Sequence, residues 1–145
     1  VLTLLGDAAK GWLAVWLAQH FMPGDNMLAA VVALAVFLGH LFPVFLRFKG
    51  GKGVATALGV LLALNVWLGL GVLAIWIFMA LVFRYSSLAA LTAAACAPTF
   101  AFLLGLPREW VLASGVMSVL LIWRHKSNIR NLLADKETRI GKREA

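Results

Sequence analysis

The chain has 145 residues, 63% of them hydrophobic, with 13 Lys and Arg against 6 Asp and Glu. A mean hydropathy of +0.94 excludes an ordinary soluble domain, whose surface needs many more polar side chains. The formal charge of +7 would suggest nucleic acid in a soluble protein, but these basic residues sit between and after long apolar runs, as the positive-inside bias of membrane loops requires, so no nucleic-acid partner is expected.

The first apolar segment covers residues 1–22 and contains Asp7 and Lys10, which a cleavable signal peptide would not carry. Charged residues in a membrane helix usually face the bundle interior, and pairing for structure explains these two as well as a place at a site does. The chain starts with Val1 and reads as an N-terminally incomplete part of a larger protein. Pro23-Gly24-Asp25-Asn26 is a turn cluster, and residues 27–46 form a second apolar segment about long enough to cross a hydrocarbon core. A basic, glycine-rich loop follows at 47–53.

Residues 54–83 are too long for one ordinary span and divide near Asn65 into a short helix and a longer one. Arg84-Tyr85-Ser86-Ser87 is a polar break, 88–104 is the next span with Pro98 expected to kink it, and 110–123 is the last before a charged tail. With the split at Asn65, two crossings separate the 47–52 loop from Arg84, and two more separate Arg84 from the tail. Every Lys and Arg except Arg108 then lies on or near one side. The expected architecture is an all-α polytopic membrane bundle of about six spans, forming a single domain over 1–145. The 54–64 helix is short enough to be a half-span lining a cavity. Trp12, Trp67, Trp110 and Trp123 fall near span ends as interface anchors, and Ser114 and Ser118 suit close helix packing. Cys96 is the only cysteine, which rules out an intrachain disulfide and a cysteine metal cluster.

The most informative stretch is His40-Leu-Phe-Pro-Val-Phe-Leu-Arg-Phe-Lys-Gly-Gly-Lys-Gly-Val-Ala-Thr56. Gly50, Gly51 and Gly53 let backbone N–H groups approach a ligand, a helix is expected just after them, and Lys49 and Lys52 add positive charge. The spacing does not match a Walker A loop, and by itself leaves an anion site and a basic linker equally open. A second constellation is Arg124-His125-Lys-Ser-Asn128-Ile-Arg130, with Glu137 beyond; on a helix His125 and Asn128 share a face and could position a hydroxyl and a phosphate oxygen. Arg84 and Ser87 could join a phosphate site.

Residues 40–56 closely resemble the second motif of the bacterial acyl-phosphate-dependent glycerol-3-phosphate acyltransferases. Arg124-His125-x-x-Asn128-Ile129 with Glu137 resembles the third motif, and Asp7-x-x-Lys10-Gly11 and Arg84-Tyr85-Ser86-Ser87-Leu88 are also similar to the family. The resemblance covers essentially all of the chain. It departs in lacking the family's opening helix and its first, Gly-Ser-Gly-Asn type motif, and in having Asn131 and Asp135 where some members have Arg and Gly. The fragment is therefore expected to transfer little acyl group by itself. His20-Phe-Met-Pro-Gly-Asp25 fits the H-x-x-x-x-D pattern of a different acyltransferase family, but falls in an outer turn and is read as coincidence.

The resemblance implies a seven-span family fold in the bacterial inner membrane, with active-site loops on the cytoplasmic face. The reaction it implies takes an acyl group from acyl phosphate to the 1-hydroxyl of glycerol 3-phosphate, giving lysophosphatidic acid and phosphate for phospholipid synthesis. Expected roles are His125 and Asn128 in orienting substrate, with His125 or a substrate phosphate as base. His40, Lys49, Gly50, Gly51, Lys52, Gly53, Thr56, Arg84, Ser87 and Glu137 are expected to bind substrate or phosphate. Neither a metal nor another cofactor is expected, and the protein is expected to act as a monomer among membrane lipids. A small transporter subunit would need polar residues in mid-span, where only Asp7, Lys10 and Asn65 occur. A non-catalytic partner binding anionic lipid through the tail leaves 40–56 unexplained.

Overall fold

The computed structural model describes residues 2–44 and 50–142. Seven α-helices and no strand occur among them: α1 (Leu2–Phe21), α2 (Asn26–Leu41), α3 (Val54–Leu64), α4 (Val66–Phe83), α5 (Ser86–Leu103), α6 (Arg108–Arg124) and α7 (Lys126–Leu133). The helix breaks follow from identifiable residues. Gly24 takes a left-handed φ of 87° after α1, and the Asp25 carboxylate caps α2 by accepting the Leu28 N–H at 2.8 Å. That cap gives Asp25 a structural role, in keeping with reading the His20–Asp25 pattern as coincidence.

The long apolar run divides at Asn65, which is extended (φ −156°, ψ 127°). Its Oδ1 accepts the N–H groups of Trp67 and Leu68 at 2.9 and 3.0 Å, so one residue ends α3 and caps α4. The second apolar segment ends at Leu41, five residues before the expected Leu46. Pro43 is the physical reason: it keeps the preceding residue out of the helical region, and Phe42 sits at φ −128°, ψ 62°. The segment expected to continue this helix, and the basic residues Arg47 and Lys49, lie outside the described residues.

Pro98 stands inside α5 and cannot donate to the carbonyl of Ala94. The Ser118 hydroxyl of α6 takes over that carbonyl at 2.6 Å and lies 2.8 Å from the Ser114 carbonyl, so the pair of small residues expected to pack closely meets the weak point of α5. Trp110, expected as an interface anchor, turns inward and donates its indole N–H to the Asn26 carbonyl at 3.1 Å.

The short helix α3 is the centre of the bundle and touches α1, α2, α4 and α6. Gly59 faces the Ala8 carbonyl and Gly11 faces the Thr56 carbonyl, so α1 and α3 meet at backbone distance. Val15, Phe37, Leu41, Val60 and Leu64 fill the core beside them, and Leu68, Val72, Ala93, Ala97 and Ala101 join α4 to α5. Apolar side chains also cover the outside: Trp67, Leu70, Ile77, Phe78 and Leu81 are all exposed on α4, as lipid contact would require. Among the described residues, α4 and α5 alone have both the length and the apolarity to cross a membrane. The count of about six spans therefore rests on charge placement, not on helix length.

Candidate active site

One cavity of about 710 Å³ runs between α1, α3, α4, α5 and α6. Its inner wall is apolar, formed by side chains such as Leu58, Leu61, Val72, Trp76, Ala93, Ala97 and Met117. Its mouth is polar, with Asp7, His40, Gly51, Lys52, Gly53, Ser86, Ser87, His125, Asn128 and Glu137. The two motifs far apart in sequence thus meet at one opening.

The glycine loop shapes one side of that mouth. Gly53 is the N-cap of α3 at φ 85°, a left-handed conformation that favours glycine, and it offers no capping side chain. The first-turn N–H groups of α3 lack helical acceptors and are available to an anion. Gly51 does not share that positive φ, and both Gly50 and Gly51 are small for packing reasons. A Cβ on Gly50 would strike the His40 and Leu41 carbonyls, and one on Gly51 would lie 2.5 Å from His40 Nε2. Arg124 holds the loop from α6, donating to the Gly50 and Gly51 carbonyls at 2.8 and 3.2 Å. Sequence reasoning placed Arg124 in the stretch that resembles the third motif but gave it no role beyond loop charge.

His40 is held from below. Lys10 Nζ lies 2.6 Å from Asp7 Oδ1 and 2.7 Å from His40 Nδ1. An ammonium only donates, so His40 Nδ1 accepts and its proton sits on Nε2, facing Gly51. Asp7 and Lys10, ambiguous in sequence, therefore buttress the loop through His40.

His125 lies between α6 and α7 and is 2% exposed. Its Nδ1 is 2.8 Å from the Leu121 carbonyl, which can only accept, so Nδ1 carries the proton and Nε2 keeps a lone pair. Burial pushes the imidazole below its usual 6.5, and the Lys52 charge acts in the same direction, against the Leu121 hydrogen bond and Glu137. Across the mouth, Asn128 Nδ2 donates to Glu137 Oε1 at 2.7 Å. Burial would raise the Glu137 carboxyl, but the nearby Ser87 hydroxyl, the Asn128 and Asn131 amides and Lys52 outweigh it and hold the group below the usual carboxylate range. The Ser87 hydroxyl is near the same carboxylate without meeting hydrogen-bond geometry.

Not every expected site residue is brought to the mouth. Thr56 is fully buried against α1 and is not in the cavity wall. Arg84 lies outside the cavity and donates to the Ile140 carbonyl of the tail at 2.8 Å. Lys49 falls outside the described residues.

A family model described as glycerol-3-phosphate acyltransferase matches residues 1–135. A glycerol-3-phosphate acyltransferase of Janthinobacterium sp. (strain Marseille) is 62% identical over 144 residues, covering 97% of this chain and 72% of the relative. One of Ralstonia pickettii (strain 12J) is 61% identical over 147 residues, covering 99% and 70%. The crystal structure of PlsY, an integral membrane glycerol 3-phosphate acyltransferase, in its glycerol 3-phosphate form superposes with a TM-score of 0.93 at 39% identity, covering 97% of this chain and 70% of that one. Its lysophosphatidic acid form gives 0.92. With the motifs, the all-helical bundle and relatives of this identity in agreement, the chain is an integral membrane protein and belongs to the glycerol-3-phosphate acyltransferase family.

Proposed function

We propose that this chain, as the single domain it forms within the full-length protein and as a monomer, transfers an acyl group from acyl phosphate to the 1-hydroxyl of glycerol 3-phosphate. Its site opens on the cytoplasmic face of the bacterial inner membrane. The observation that carries the reading is a single cavity with an apolar interior and a mouth built from an α-helix N-terminus, Lys52 and a buried imidazole. That division suits an acyl chain inside and anionic groups at the opening. Solved forms of PlsY named for glycerol 3-phosphate and for lysophosphatidic acid support the same substrate and product here.

In the proposed reaction the hydroxyl oxygen adds to the acyl carbonyl carbon and its proton passes to His125 Nε2. The bond from that carbon to the phosphate oxygen breaks, and phosphate leaves with the electron pair. Lys52 and the α3 amides stabilise the charge that gathers on the phosphate groups. The donor is already activated, so no nucleophilic side chain is required.

The donor assignment is tested with the full-length protein in liposomes, supplied with glycerol 3-phosphate and either acyl phosphate or acyl-CoA. Lysophosphatidic acid is expected with acyl phosphate, one inorganic phosphate being released per turnover. Turnover with acyl-CoA alone, and none with acyl phosphate, would overturn it.

Orientation is tested in cells with single cysteines in a Cys96→Ala background. Ser127→Cys, exposed on α7, is expected to resist an impermeant thiol reagent added from outside, while Arg108→Cys is labelled. The reverse pattern would place the mouth on the outer face.

A further inference from the structure

Two cations hold the glycine loop from different helices. Arg124 takes the Gly50 and Gly51 carbonyls directly from α6. Lys10 approaches the same loop from α1, through His40. The backbone fixes its place. Gly11, the next residue, packs against the Thr56 carbonyl, and Ala8 packs against Gly59, so α1 is seated on the first turns of α3. Lys10 is thereby registered against the helix N-terminus that Gly53 opens.

Hydrogen-bond roles decide what the imidazole does there. His40 Nδ1 lies 2.7 Å from Lys10 Nζ and 3.5 Å from Asp7 Oδ1. A proton on Nδ1 would set two donors against each other, with the carboxylate too far away to take it. Asp7 is used by Lys10 instead, at 2.6 Å. The Asp7–Lys10–His40 chain therefore runs in one direction and ends in a proton on Nε2. His40 lines the cavity mouth, and its Nε2 ends beside Gly51, where a Cβ would lie 2.5 Å away. The missing side chain leaves that N–H uncovered. The carboxylates at the mouth do not oppose an anion there. Asp7 is paired with Lys10, and Glu137 holds the Asn128 amide within reach of the Lys52 charge.

We propose that Lys10 is a positioning residue of the anion site: seated by Asp7, it holds His40 in the tautomer whose Nε2–H donates to a substrate phosphate beside the glycine loop. The proposal rests on the reading of the mouth as a phosphate site. The phosphate belongs to glycerol 3-phosphate or to acyl phosphate, which offer the same kind of oxygen. The imidazole acts as a neutral, directed donor, and the ammonium behind it polarises the N–H. Loss of Lys10 frees Nδ1 and lets the proton move there, which turns a lone pair towards the phosphate.

The test uses the full-length protein, by NMR in detergent and by kinetics in liposomes. With 15N-labelled histidine, His40 is assigned by the signals lost in His40→Phe. Wild type is expected to show a bare Nδ1 and a protonated Nε2, and the Nε2 signal should shift when glycerol 3-phosphate or inorganic phosphate is added. In Lys10→Met the proton should spread to Nδ1. The same variant should raise KM about tenfold, the worth of a hydrogen bond to a charged group. The rise falls on glycerol 3-phosphate if its phosphate is the one held, and on acyl phosphate if that one is. Lys10→Arg, which still donates to Nδ1, should recover part of the loss. In a His40→Phe background, Lys10→Met should raise neither KM further, because Lys10 acts through the imidazole. A merely structural pair would lower the amount of protein and leave both KM values alone. A proton on Nδ1 of the wild type, or KM values for both substrates that Lys10→Met leaves unchanged, overturns the proposal and leaves acyl transfer standing. A wild type that acylates nothing overturns the acyl-transfer reading. The nitrogen signals then still decide this proposal, and an Nε2 that does not respond to inorganic phosphate overturns it as well.

Discussion

Lys52→Ala is expected to lower kcat/KM by about 10²-fold or more, with the protein present in the membrane at its normal amount. Lys52 is exposed at the mouth, so removing its side chain leaves the bundle core untouched. Its charge already acts on both His125 and Glu137, which places it within electrostatic reach of any anion bound there. Gly51→Val should cause a loss of similar size by a different route. Its Cβ would lie 2.5 Å from His40 Nε2, and the imidazole is tied to Lys10, so the loop itself must move and its amides lose their aim. Measuring kcat and KM separately, with membrane protein quantified, distinguishes the site from a structural loop. Near wild-type kinetics for Lys52→Ala would remove the loop from the mechanism, and reduced yield without a kinetic change in Gly51→Val would make it a folding element.

His125→Gln is expected to lower kcat by about 10²-fold, the range for losing a positioned general base. The pH dependence carries more information. Burial depresses the imidazole below 6.5, so the free base is the main form at neutral pH. Activity of the wild type should then fall on the acid side, below 6.5, as Nε2 takes a proton. The variant should lack that limb. A small loss of rate with the acid limb retained would assign the proton to a phosphate of the substrate. The same shift has a consequence for stability. Because the folded value lies below the unfolded one, the unfolded chain binds more protons as pH falls. The stabilisation is complete above 6.5 and is lost as pH falls from 6.5 through the folded value. Thermal unfolding in detergent should therefore show a larger acid-side drop in melting temperature for wild type than for His125→Gln.

The sequence by itself determined the helical membrane class, because apolar runs of this length have no other way to satisfy their backbone than in helices or closed barrels. It located the helix breaks at Gly24, Asn65 and Arg84, where local backbone conformation and side-chain capping decide the chain's course. It also named residues of the mouth on both sides, through the resemblance of the second and third motifs to the family and not through their spacing. What it missed depends on contacts between distant segments. The end of α2 was overrun because apolar character was weighed above the restriction that Pro43 places on Phe42. The roles of Arg84, Thr56 and Arg124 could not be read from spacing. Arg84 meets a tail residue 56 positions away, and Arg124 meets the glycine loop 74 positions away. Tertiary structure alone decided which cation faces the cavity and which is used to pin a chain segment. It also fixed which nitrogen of His40 and of His125 keeps a lone pair, because Lys10 and the Leu121 carbonyl, not the imidazoles themselves, set those tautomers.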